Sequence, residues 1–138
     1  MKHRSVQWFK DELKHYTENV DQLRNARLRL VEVTNASLGI NSPSSISNVK
    51  LENVRDPYQN KKVDYIIAID EIKKEIGSLE WRIEYVDKTL DNMLMKDREI
   101  IRSIYIRSKH YNQVALNSFL SERGLKKRVN KIIREALS

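Results

Sequence analysis

Near its C-terminus the chain reads SERGLKKRVNKIIREALS. Glu122, Arg123, Lys126, Lys127, Asn130, Lys131 and Arg134 recur there at helical spacing, while Leu125, Val129, Ile132, Ile133 and Ala136 recur on the other side. Ser121 stands before them with a hydroxyl that accepts amide hydrogen bonds and so opens a helix. Lys and Arg displace counterions from phosphates, and Glu, Asn and Arg offer directional hydrogen bonds to base edges. The chemistry these residues supply is binding of a nucleic-acid duplex. The same spacing also describes an ordinary solvated helix surface, so charge alone leaves both readings open.

Other chemistries lack their parts. His3, His15 and His110 have no mutual spacing like that of a zinc helix, and there are no cysteines to complete a site, so no metal or cofactor is expected. No Walker loop, Gly-rich dinucleotide turn or nucleophile elbow occurs. The carboxylates Asp70 with Glu71 and Asp87 with Asp91 lie among Lys and Arg on a helical stretch and read as exposed ion pairs rather than as acid and base. No catalysis is expected.

The elements that must position the basic face belong to an all-α chain. Of 138 residues 40% are apolar and 33% charged, with only three Gly and two Pro. No apolar run is long enough to cross a bilayer and the N-terminal MKHRSVQWFK has no signal-like apolar stretch, which predicts a cytoplasmic protein without membrane contact. A basic amphipathic membrane helix is disfavoured, since the last segment has only Phe119 as an anchor. The net charge of +7 is confined to residues 96–138, with 11 Lys and Arg against four acids, whereas the first 95 carry 15 of each sign. That asymmetry predicts two regions, 1–95 and 96–138, of which the second meets a polyanion.

In the first region the pattern predicts a long helix over 6–37, with Phe9, Leu13, Tyr16, Val20 and Leu23 along one face, Arg27 at the next seam position, and Gly39 as its stop. A connection follows over about 39–55, where Ile40, Ile46, Val49, Leu51 and Val54 are available to fasten it to the helices. Asp56-Pro57-Tyr58-Gln59 announces a second helix. Ile69, Ile72, Ile76, Leu79, Ile83, Val86, Leu90 and Met93 then form a heptad seam. It suits either a helical hairpin within one chain or a coiled coil between chains, hence a homo-oligomer through 69–93. Trp8 and Trp81 read as packing beside the seams. Shorter helices follow in DREIIRSIYIRSKHY, with Ile100, Ile101, Ile104 and Tyr105 on one face, then in NQVALNSFL and the basic segment, a three-helix unit.

Asp97-Arg98-Glu99-Ile100-Ile101, Tyr105, Tyr111-Asn112-Gln113-Val114-Ala115 and Ser121-Glu122-Arg123-Gly124-Leu125-Lys126-Lys127-Arg128-Val129 together resemble the fourth region of sigma-70-type factors. In that likeness Ala115 is the small residue where two helices cross, Ser121 opens the recognition helix and Leu125 plugs the core. Gln113, Ser118, Phe119 and Gly124 depart from the family, which commonly has Glu, Leu, Gly and Thr there. Phe119 is the sharpest departure, because a bulky side chain disfavours a positive φ; it predicts another turn type or a shifted register.

With its leading helix, Ser/Pro-containing connection and long second helix, most of the chain resembles small phage and prophage late-gene regulators of the ArpU and RinA type, the specific motifs lying in its C-terminal third. The resemblance implies a helix-turn-helix activator on double-stranded DNA, with Ser121, Glu122, Arg123, Lys126, Lys127 and Asn130 in the recognition helix. It also leaves room for an adaptor that contacts host RNA polymerase without reading bases, and for a small DNA-packaging subunit like those of phage terminases.

Overall fold

The computed structural model describes residues 5–40 and 57–138, with side chains over 5–39 and 61–138. All regular structure among them is helical: α1 (Val6–Lys14), α2 (Tyr16–Ile40), α3 (Pro57–Asp91), α4 (Met95–Ile101), α5 (Tyr111–Asn117) and α6 (Glu122–Leu137). A π turn over Arg102–Ile106 prolongs α4. No helix of the described residues is long and apolar enough to cross a membrane.

Ser5 starts α1 by accepting the Trp8 amide at 3.0 Å. The single helix expected over 6–37 is broken at His15, where φ is −93° and ψ 0°. There the imidazole Nδ1 lies 2.7 Å from the Asp11 carbonyl, which also accepts the His15 amide at 3.2 Å. The regular i to i−4 bonds nevertheless run through this point, since the His15 carbonyl in turn accepts the Asn19 amide at 2.7 Å. Gly39 does not stop α2, since it is itself helical and no described glycine has a positive φ. Residues 41–56, which hold nearly all of the expected connection and the Asp56 cap, lie outside the described residues. The second helix does begin at Pro57, whose fixed φ suits a first turn.

The described chain divides into two compact units, one joining the residues up to Val20 to Trp81–Ser138, the other Asp21–Glu80. In the first, one core draws Phe9 and Leu13 from α1, Val86 and Leu90 from α3, and Met93 from the joint after it. Ile101 and Ile104, Val114 and Ala115, and Leu125, Val129, Ile132 and Ile133 complete it from the later helices. The change of charge near residue 96 is therefore not a boundary of packing. A segment as short as 96–138 has too little interior of its own, and α1 and the end of α3 supply the missing apolar volume.

Arg98 secures the joint between α3 and α4. Its guanidinium donates to the carbonyls of Leu90, Asp91 and Met93 at 3.0 to 3.3 Å, satisfying acceptors that a helix end leaves free. Tyr85 gathers Trp8, Phe9 and Trp81 at centroid distances of 5.2 to 6.3 Å, with Trp8 edge-on.

In the second unit Leu23, Ala26, Ile72 and Leu79 are buried. Burial after Leu23 passes to Ala26 and not to the expected Arg27, which lies 3.1 Å from Glu80; Arg29 similarly meets Glu75 at 2.9 Å. A guanidinium is cheaper to keep wet than to bury, and the small Ala fills the inner position instead. Of the seam on α3, Ile72, Leu79, Val86, Leu90 and Met93 are buried in a single copy, whereas Ile69, Ile76 and Ile83 are only half-buried.

Candidate nucleic-acid interface

α6 is seated by its neighbours α1, α4 and α5. Its apolar side, Leu125, Val129, Ile132 and Ile133, is buried, and the opposite side is left to solvent. The connection from α5 is short and fully bonded. The Leu120 amide reaches back to the Ala115 carbonyl at 2.9 Å and the Phe119 amide to that of Leu116 at 3.2 Å. These are the two bonds of a Schellman ending, which requires a left-handed residue between cap and exit. That residue is Phe119, with φ 57°. Phe119 thus adopts the left-handed angle that its bulk disfavours, and the residue is 96% exposed.

Immediately after the turn, Ser121 Oγ accepts the Gly124 amide at 3.0 Å, and α6 begins. A Cβ on Gly124 would stand 3.1 Å from that same oxygen, closer than ordinary contact. The cap is built tightly around a residue without a side chain.

Ser121, Glu122, Arg123, Lys126, Lys127, Lys131 and Arg134 are exposed. Among the described residues Arg123, Lys127, Lys131 and Arg134 have no carboxylate at ion-pair distance, whereas Lys126 lies 3.7 Å from Glu122 and Arg128 lies 3.0 Å from Asp97. Four uncompensated cations therefore share the outer side of one helix.

Asn130 is placed differently from the others. It is half-buried, and its Oδ1 accepts a hydrogen bond from Lys10 Nζ of α1. Lys126 also leans inward, 5.6 Å from the centre of the Tyr111 ring. Lys10 carries no sign of this role in the sequence, because its partner is 120 residues away. Burial and then the nearby charge of Lys14 hold the Lys10 ammonium below its ordinary pKa.

The remaining motif residues have structural partners. Asp97 is buried against Arg128, Arg98 holds the end of α3, and Glu99 bonds Arg107, which draws the Glu99 carboxyl below its usual range. Tyr105 Oη lies 3.2 Å from Tyr111 Oη, and burial followed by that bond pushes the Tyr105 phenol up.

Asp70 does form an exposed pair, with Lys74 at 3.1 Å, but Asp87 instead accepts the Tyr16 hydroxyl at 2.7 Å. His3 lies outside the described residues, His15 bonds the α1 backbone, and His110 precedes α5. No family model matches the chain, and neither a curated protein nor a solved structure shows similarity to it.

Proposed function

We propose that this chain is a sequence-specific DNA-binding regulator of transcription, with α5, the Phe119 turn and α6 acting as a helix-turn-helix. The phage late-gene activators it resembles are the pattern for its role. The observation that carries the reading is the outer face of α6, where Arg123, Lys127, Lys131 and Arg134 stand exposed and unpaired among the described residues. A duplex gains most from such cations, because they arrive without internal salt bridges to break.

Ser121, Glu122, Arg123 and Lys127 near the start of α6 are the base-edge readers in this proposal, and Lys126, Lys131 and Arg134 meet phosphates. Asn130, with its oxygen taken by Lys10, keeps its amide NH2 for donation. The ion pairs Arg27–Glu80 and Arg29–Glu75 support the companion reading of α2 and α3 as a hairpin.

The test is duplex binding against salt. The protein should lose affinity steeply, with a log–log slope of about −0.9 for each phosphate neutralised, and Arg123→Gln with Lys126→Gln and Lys127→Gln should abolish binding without unfolding it. Absent or salt-insensitive binding across a panel of phage promoter fragments would defeat the reading.

A second reading, contact with host RNA polymerase, draws on Leu116 and Phe119, two large apolar side chains left exposed on the same α5–turn element. Polymerase capture that survives the triple substitution and fails with Phe119→Ser would favour it.

A further inference from the structure

α1 brings a second group of cations beside α6. Lys10 and Lys14, one turn apart, line a cavity of about 520 Å³ together with Lys109, His110 and the tyrosines 105 and 111. No carboxylate lines it. The backbone enters this wall through Ser108 at φ 55°, an angle that residues with a Cβ rarely adopt. That turn sets Ser108, Lys109, His110 and Tyr111 consecutively against the cavity.

Among the described residues neither Lys10 nor Lys14 has a carboxylate at ion-pair distance, and the two ammonium groups oppose each other's charge. An anion placed between them would relieve both burial and repulsion. The cavity also meets the outer face of α6. Lys10 bonds Asn130 and Tyr111 underlies Lys126, so residues of the cavity touch residues of the helix face directly.

From this cavity, its cations and its continuity with α6, we infer that it holds a backbone phosphate of the duplex on which α6 docks, making α1 a part of the DNA interface. The inference rests on the duplex-binding reading of α6. A phosphodiester shares one negative charge between two non-bridging oxygens, which accept from the ammonium groups and from a tyrosine hydroxyl while offering nothing that identifies the base. The contact fixes position and register, and its strength does not depend on sequence.

The experiment compares salt dependence of duplex affinity for the full chain, for Lys14→Gln with Lys109→Gln, and for Lys61→Gln with Lys73→Gln on α3. All four lysines are exposed, and each pair removes the same net charge. The cavity pair should flatten the log–log slope by about 1 to 2 and weaken specific and unrelated duplexes alike, while the α3 pair leaves the slope in place. Lys14→Arg with Lys109→Arg should restore it.

An unchanged slope in the cavity pair, beside a wild type that binds, overturns the inference and leaves the reading of α6 standing. An equal flattening by the α3 pair overturns it too, since net charge would then suffice. A wild type that binds no duplex defeats the reading of α6 and the inference with it.

Discussion

Phe119 holds a backbone angle that L side chains rarely adopt, and its exposed ring gains nothing from burial in return. The strain of roughly 1–2 kcal/mol is retained because two turn bonds and the Ser121 cap together leave the chain no other path. Phe119→Gly should therefore stabilise the protein. Glycine's greater unfolded-state entropy takes back part of the gain, so a net increase of about 0.5 kcal/mol in unfolding free energy is expected, read as a higher urea midpoint. A fall in the midpoint would mean that the ring packs in a way its exposure conceals.

Two phenols give a second handle at this scale. Burial, then the Asp87 bond, pushes Tyr16 up to about 12, and Tyr105 is raised as well. The folded state thus keeps protons that the unfolded state releases near pH 10, so their contribution is complete below that pH and is lost as pH rises towards 12 and beyond. Tyr16→Phe should remove a phenol that ionises at about 12 from the spectrophotometric titration, and with it part of the alkaline loss of stability. A wild type and variant whose titration curves already differ near pH 10, the ordinary range of a phenol, would contradict the packing described.

At the scale of elements, α1 is the piece whose importance sequence reasoning understated. Its Phe9 and Leu13 are fully buried in the core that also receives α6, so a helix at one end of the chain supports the basic face at the other. Phe9→Ala should cost about 3–5 kcal/mol and unfold the unit that carries α6, read by loss of a cooperative melt. An unaltered melt would mean that α1 merely rests on the later helices.

The starts of α3 and α6 were legible, because Pro57 and Ser121 act through local geometry. The division at His15 was not, since no Gly, Pro or capping residue type stands there to mark it. Nor was the π turn after Ile101, where an apolar spacing of three to four residues looks the same whether or not the backbone bonds widen.

For the whole molecule, charge and packing divide the chain at different places. The sequence confines its net positive charge to 96–138, whereas the core that supports those residues reaches back to residues up to Val20 and to Trp81 onward. An isolated 96–138 peptide should accordingly show no cooperative melt and little stable helix, despite holding every candidate reader. A folded, cooperative peptide would show that Phe9, Leu13, Val86 and Leu90 are dispensable to it.

The sequence by itself determined the helical class, the exposed basic side of α6, its Ser121 cap and the apolar side beneath, because periodicity and capping are set by residues within a few positions of one another. Tertiary structure decided what stands beside that face. The hold of Lys10 on Asn130, the cationic cavity shared by α1 and the Ser108–Tyr111 turn, and the pairing of Asp97 with Arg128 join residues far apart in the chain. Their meeting depends on how the helices pack, and no local pattern of residue types encodes it.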